Sequence, residues 1–193
     1  MLETIKNLDT NLFKILNNIH SPFFDDVMWF ISAKETWFPL YLIIIIFIIY
    51  KYKKQSVLLL LSIAVLITLA DQTSVHLFKD VFQRLRPCHS PQLQDIVHLV
   101  HNKCGGKYGF VSSHATNVFS IALFLGLVFK NRTFTISIFI WAAIVSYSRV
   151  YLGVHYPLDI ICGAILGCLI AYLTYKIYRF TLALLIQKNI LKN

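Results

Sequence analysis

Residues 37–50, WFPLYLIIIIFIIY, and residues 57–78, VLLLLSIAVLITLADQTSVHLF, decide the architecture of this chain. The first run is closed by Lys51, Lys53 and Lys54; the second stays apolar until its last turns, where Asp71, Gln72 and His76 appear. A helix needs about 20 apolar residues to cross a bilayer, so the shorter first run is expected to extend by a turn. Three further runs follow: 115–129, ended by Lys130-Asn131-Arg132; 134–150, with Arg149 in its last turn; and 158–177, continuing as an amphipathic tail through Ile190. Only 14% of the 193 residues are charged and 57% are hydrophobic, against about a quarter charged in an ordinary soluble domain. The expected fold is all-α: one polytopic membrane helical bundle over 1–193, with about five or six spans and a helical core at 36–186.

Residues 1–35 read differently. Leu8, Leu12, Phe13, Leu16 and Ile19 share a helical face, so an interfacial N-terminal helix is expected, broken at Ser21-Pro22. The short apolar run that ends at Ile31 cannot span a bilayer. Asp9, Asn17 and Asn18 interrupt the first 19 residues, which argues against a cleavable signal peptide.

The net charge of +9 fits basic loops that hold helices on the cytoplasmic side, and also attraction to anionic headgroups. It does not suit nucleic acid, because no basic soluble surface interleaved with aromatics is visible. Lys51–Lys54, Lys130–Arg132, Lys176, Arg179, Lys188 and Lys192 would share the cytoplasmic face. The loop at 79–111 and the turn at 151–157 would then share the outer face, the periplasmic side of a bacterial inner membrane.

That outer face collects the polar chemistry. Lys79-x6-Arg86-Pro87, Ser112-Ser113-His114 and Ser148-Arg149-x5-His155-x3-Asp159 each sit at the mouth of an apolar run. A charge buried in lipid is costly and is retained mainly where it does chemistry or transport. Taken singly, each cluster has an ordinary reading: Lys79, Arg86 and Arg149 as snorkelling anchors, Ser112 as a helix cap with an incidental histidine, Asp159 as a cap on the last run. Taken together, three cations would repel one another unless an anion lay between them. Arg offers a planar fork matched to phosphate oxygens, and a helix start lined by hydroxyls is a ready anion site. An Asp four residues after a His, across Pro157, can hold one ring nitrogen as donor and free the other lone pair for attack.

In this order and between spans, the three clusters resemble the motifs of the type 2 phosphatidic acid phosphatase (PAP2) superfamily. The resemblance runs from Lys79 to Asp159, with the last span completing the core. It implies His155 as nucleophile, Asp159 as its orienting partner, His114 as general acid, and Lys79, Arg86, Ser112 and Arg149 as phosphate ligands; Ser113, beside Ser112, is expected to join them. The second motif of that family usually reads Pro-Ser-Gly-His, whereas here it is Val111-Ser112-Ser113-His114; the serine and histidine survive, and Ser113 replaces a glycine. The implied activity is hydrolysis of a lipid phosphate or diphosphate through a phosphohistidine, without cofactor or metal. Undecaprenyl diphosphate is the favoured substrate, with lipid A phosphate, phosphatidylglycerophosphate and phosphatidic acid as alternatives. Vanadium haloperoxidases share the superfamily but are soluble, unlike this chain. A non-catalytic anion binder or transporter is the competing function, disfavoured because polar residues at mid-depth are confined to the second run.

Cys88 and Cys104 bracket the outer loop, where a disulfide or two free thiols are both open. His89, His98 and His101 with those cysteines match no zinc spacing, so no metal is expected. Gly163-x3-Gly167 is expected to let two helices approach closely within the monomer, dimerisation being the alternative.

Overall fold

A computed structural model describes residues 2–191. Its helices are α1 (Leu2–Asn17), α2 (Pro22–Ser32), α3 (Phe38–Tyr52), α4 (Ser56–Gln72), the short α5 (Asp80–Phe82), α6 (Ser113–Phe129), α7 (Arg132–Tyr151) and α8 (Pro157–Gln187). Among the described residues the extended pairing is a single bridge, Leu85 to Tyr108.

Helical backbone runs almost without interruption from Glu35 to Phe82, 48 residues, or roughly 72 Å if straight. That is twice a bilayer. The chain therefore folds back at Lys53, whose φ of +46° ends α3, and α3 packs against α4. By length and composition, this segment, α7 and α8 are long and apolar enough to cross a membrane, and α6 is a shorter apolar helix. The protein is a multi-pass helical membrane protein.

α6 is the hub, touching α4, α7 and α8. It meets α8 most closely because α8 offers glycines there. A Cβ at Gly163 would lie 2.7 Å from the Ser112 carbonyl oxygen, and one at Gly167 would lie 2.2 Å from that of Thr116. The expected close approach is thus used within the monomer. The core around α6 is hydrocarbon and aromatic, with Leu59, Leu66, Ala122, Phe124, Leu125 and Ala171 buried together.

The opposite faces of α3, α4 and α8 carry exposed Leu42, Ile43, Ile46, Leu61, Leu169 and Leu173. This is the surface a bilayer covers.

α1 does not bury its leucines. Leu8, Leu12, Ile15 and Ile19 are exposed, while Asp9, Phe13 and Asn17 point inward. The shared face expected for Leu8, Leu12, Phe13, Leu16 and Ile19 therefore splits: Phe13 and Leu16 pack on Leu93, Val150 and Tyr156, and the rest faces outward. The buried Asn17 explains the choice. Its amide donates to the carbonyls of His98 and Tyr151 at 3.0 and 2.8 Å, and accepts the His98 N–H at 2.8 Å. One side chain thereby ties α1 to the outer loop and to the end of α7, and turning α1 to bury its leucines would break these bonds.

The helix of the second apolar run continues past Phe78 but stops short of Arg86-Pro87. Helix ends at Phe82, with Gln83 in the left-handed region at φ +47°, and Pro87 instead opens a 3₁₀ turn at Pro87–His89. The outer loop then runs to Ser112. Cys88 and Cys104 are joined across it by a disulfide, with Cα atoms 5.8 Å apart.

Candidate active site

α4 passes into a π-helical stretch, Thr73–Lys79, before α5. Such wide turns shift the helical register locally and recur at functional sites. Here the stretch brings Ser74 and Lys79 to the start of α6: the Ser113 hydroxyl is 2.7 Å from the Ser74 hydroxyl and 2.6 Å from Lys79 Nζ.

The Leu85–Tyr108 bridge sets Arg86, whose Nε donates to the Tyr108 carbonyl at 3.3 Å and whose backbone N–H donates to Lys107. Its Nη1 reaches the carbonyls of Cys104 and Val154 at 3.5 Å. Backbone oxygens thus fix the guanidinium without neutralising it.

Arg149, in the last turn of α7, is buried against Ser32 of α2, to whose hydroxyl Nη1 donates. Its Nε is buried with no partner, an arrangement that a native structure seldom keeps without purpose.

α8 begins at Pro157, and Asp159 sits at its third position. Asp159 Oδ2 accepts the Tyr156 N–H at 3.0 Å and lies 3.4 Å from His155 Nδ1. His155 and Asp159 are almost wholly buried. Burial, reinforced by the positive charges of Arg86, Arg149 and Lys79, holds the His155 imidazole well below its ordinary range. The ring is therefore neutral at physiological pH. With Nδ1 assigned as the donor to Asp159, Nε2 keeps its lone pair.

Lys79, Arg86, Ser113, His114, Arg149 and His155 all line one cavity of about 860 Å3. Two expected residues stand behind that wall. Asp159 is reached through His155, and Ser112 is fully buried as the N-cap of α6, its hydroxyl accepting the Ala115 N–H at 3.5 Å. Ser113, in the place of the family's glycine, is the serine that faces the cavity.

Four further residues belong to the assembly. Arg84 bridges two buried carboxylates: its Nη1 is 2.9 Å from Asp159 Oδ1 and its Nη2 is 2.6 Å from Asp9 Oδ2. The guanidinium also stacks on the Tyr156 ring at 3.9 Å. Asp9 Oδ1 accepts the Leu158 N–H at 2.8 Å, so α1 caps the start of α8. At Gly109, a Cβ would fall 3.1 Å from Arg86 Cγ, 3.2 Å from Asp159 Oδ2 and 3.5 Å from His155 Nδ1. Ser32 completes the set through Arg149. Arg84 lay inside the first motif's spacer and Gly109 just before the second motif; Asp9 gave only the hint of a charge inside an apolar helix.

The histidines of the outer loop do not converge on the cysteines. His89 meets the Gly105 carbonyl, His98 meets Asp25, and His101 faces Asp26.

The PAP2 superfamily profile matches residues 55–182. The chain is 38% identical over 180 residues to a lipid A 4'-phosphatase of Porphyromonas gingivalis, a match spanning 93% of this chain and 76% of the relative. It is 31% identical over 172 residues to an undecaprenyl-diphosphatase of Sulfolobus acidocaldarius, spanning 88% of this chain and 78% of the relative. Among solved structures it resembles a transmembrane PAP2 type phosphatidylglycerolphosphate phosphatase of Bacillus subtilis. That likeness has a TM-score of 0.64 and 27% identity, and covers 90% of this chain and 86% of the other.

Proposed function

The chain belongs to the PAP2 superfamily of membrane lipid phosphatases, and from that premise we propose which of its residues carry the hydrolysis and which headgroup they accept. The observation that carries this reading is continuity. One cavity reaches from His155, His114 and Arg149 down to Phe38, Ile45 and Ile67 on α3 and α4. A phosphate can meet the cations while its lipid tail stays among apolar side chains.

His155 Nε2 attacks phosphorus, and its Nδ1–H remains on Asp159, which stabilises the imidazolium that forms. His114 gives its proton to the departing oxygen as the P–O bond breaks. Water, deprotonated by His114, then attacks phosphorus and breaks the P–Nε2 bond, releasing inorganic phosphate and returning His155 to the neutral imidazole and His114 to its protonated form. Lys79, Arg86 and Arg149 stabilise charge on the equatorial oxygens, the service phosphoryl transfer needs most. Arg149 lines the cavity and brings its fixed charge to those oxygens. Ser113 adds its hydroxyl, and Ser112 adds the capped helix start behind it. Arg84 and Asp9 act as positioning residues, holding Asp159 in register with His155. Three fixed cations supply what a metal would, so the chemistry proceeds without one.

For the headgroup, Asp71 and Asn117 supply a discriminating detail. Both line the cavity, 3.5 Å apart, and Asn117 Oδ1 is buried without a partner. Asp71, an acceptor on the cavity wall, favours a headgroup with hydroxyl or amide donors. A polyprenyl diphosphate brings no such donor to Asp71. This supports a phosphorylated glycolipid such as lipid A, the substrate named for the Porphyromonas relative. Undecaprenyl diphosphate, first choice on sequence alone, becomes the second reading, supported by the Sulfolobus relative. The catalytic end lies opposite the basic turns at Lys51–Lys54 and Lys130–Arg132, which supports a periplasmic site in an inner membrane.

Purified protein in detergent, given lipid A, undecaprenyl diphosphate, phosphatidylglycerophosphate and phosphatidic acid, decides between these. Phosphate release fastest from lipid A, and unchanged by EDTA, is expected. Fastest release from undecaprenyl diphosphate reverses the substrate order. Binding of all four with release from none supports the anion binder or transporter.

A further inference from the structure

Away from the phosphate cavity, three metal-type donors from separate parts of the chain meet on the outer face. They are His20 in the turn between α1 and α2, Asp25 in the first turn of α2, and His98 in the outer loop. Their ligand atoms all lie within 4.8 Å of one another. His98 Nε2 is 2.8 Å from Asp25 Oδ1, and the His20 ring lies parallel to that of His98 with centroids 3.6 Å apart.

The supports of this cluster are those of a built site. The Tyr151 hydroxyl donates to Asp25 Oδ1 at 2.7 Å and so fixes the carboxylate. The buried Asn17 amide holds the His98 backbone on both sides, accepting its N–H and donating to its carbonyl. Outer hydrogen bonds of this kind orient the ligands of metal sites. Two imidazoles and one carboxylate suit borderline first-row divalent cations, zinc above all, rather than magnesium or calcium.

The geometry also states what must move. A metal bonds an imidazole in the plane of its ring, and two parallel rings cannot both meet that demand. His20 is exposed and can swing off the stack, whereas His98 and Asp25 are half-buried and tied down. A tetrahedral ion with bonds of about 2.0–2.1 Å sets its ligands roughly 3.3 Å apart, so the 2.8 Å pair opens by about half an ångström.

We propose that His20, Asp25 and His98 form a binding site for a zinc-class divalent cation, with the fourth position open to solvent. The ion staples the α1–α2 turn to the outer loop. Because α2 ends at Ser32, the hydrogen-bond partner of Arg149, the staple braces the wall of the phosphate cavity from outside without entering the chemistry.

The test uses protein purified in detergent without a polyhistidine tag and stripped with EDTA, titrated calorimetrically with zinc chloride. Saturable binding of about one equivalent is expected, with a thermal midpoint that rises on zinc addition. His20→Ala removes an exposed ligand and little else, and is expected to weaken zinc binding at least tenfold and abolish the thermal shift. His98→Gln keeps the backbone contacts to Asn17 and is expected to do the same. His76→Ala, altering the exposed His76–Asp80 pair, is expected to change neither readout. Absence of saturable zinc binding, or binding that survives His20→Ala and His98→Gln, overturns the proposal. The phosphatase reading is judged separately by phosphate release from the stripped protein.

Discussion

The two ends of this bundle are held together by different physics. At the basic end, Lys51 lies over the rings of Phe47, Tyr52 and Phe129, and Tyr52 donates to the Val128 carbonyl at 3.3 Å. Ring contacts of Phe47 and Phe134 with Phe129 add to the packing there. At the catalytic end, Asp9, Asn17, Arg84, Arg149, His155 and Asp159 are wholly or mostly buried, and all but Asn17 are charged or imidazole groups. Apart from the local contacts within residues 155–159, their side-chain partners lie 75 to 149 residues away. Hydrocarbon packing tolerates a change of one side chain for another of similar volume. A buried polar network does not, because removing one partner strands the others. The catalytic end is therefore the specific one, and substitutions there are expected to act on turnover more than on folding elsewhere.

The largest break in that contrast comes from His155→Ala, expected to lower phosphate release by more than about 10⁴-fold, as loss of a nucleophile does, with the helical circular dichroism retained. Retained turnover would remove His155 from the chemistry. Next in size is Arg84→Ala, expected to cut kcat about 10–100-fold, the scale of a lost orienting contact, with little change in KM. Arg84→Lys should recover part of this, and Asp9→Asn should show a smaller loss of the same kind. Full activity in Arg84→Ala would mean that Asp159 needs no help from α1 or the outer loop.

From the apolar side, Ile67→Trp fills the cavity below the cations. It is expected to raise KM for long-chain lipid phosphates roughly tenfold while sparing a short soluble phosphomonoester. Equal effects on both would merge the two regions again. The subtlest probe is pH. Because the free-enzyme His155 ring is held below its ordinary range, it loses its attacking lone pair only when pH falls through that lowered value. The acid limb of kcat/KM assigned to this residue should therefore lie well below about 6.5. Stability has the same sign: the unfolded chain binds the proton first, so acidification below about 6.5 favours unfolding.

Much of this was legible in the sequence for a physical reason. Apolar runs of bilayer length announce helices, and the three motifs place costly polar groups at the ends of those runs. Lys79, Arg86, His114, Arg149, His155 and Asp159 draw notice because each looks out of place in its local surroundings. Arg84 does not, since one more cation in a basic loop is ordinary until Asp9 and Asp159 are seen on either side of it. Asn17 and Ser32 are ordinary residues whose value comes from backbone and guanidinium groups far along the chain. The end of the helix at Phe82 was hidden because Gln83 adopts φ +47° without the glycine that usually marks such a position. Ser112 and Ser113 were both expected at the phosphate, and they part because a helix start assigns one hydroxyl to the cap and turns the next residue toward the cavity.

The account rests on groups from α4, the outer loop, α6, α7 and the turn before α8 closing around a single anion. A structure of the purified protein with orthovanadate tests this most directly, because vanadate adopts the five-coordinate geometry of phosphoryl transfer. The prediction is vanadium bonded to His155 Nε2, with its oxygens on Lys79, Arg86, Ser113 and Arg149 and the apical oxygen facing His114. Vanadate seated away from His155, or held by some of these cations while the others point elsewhere, would contradict it.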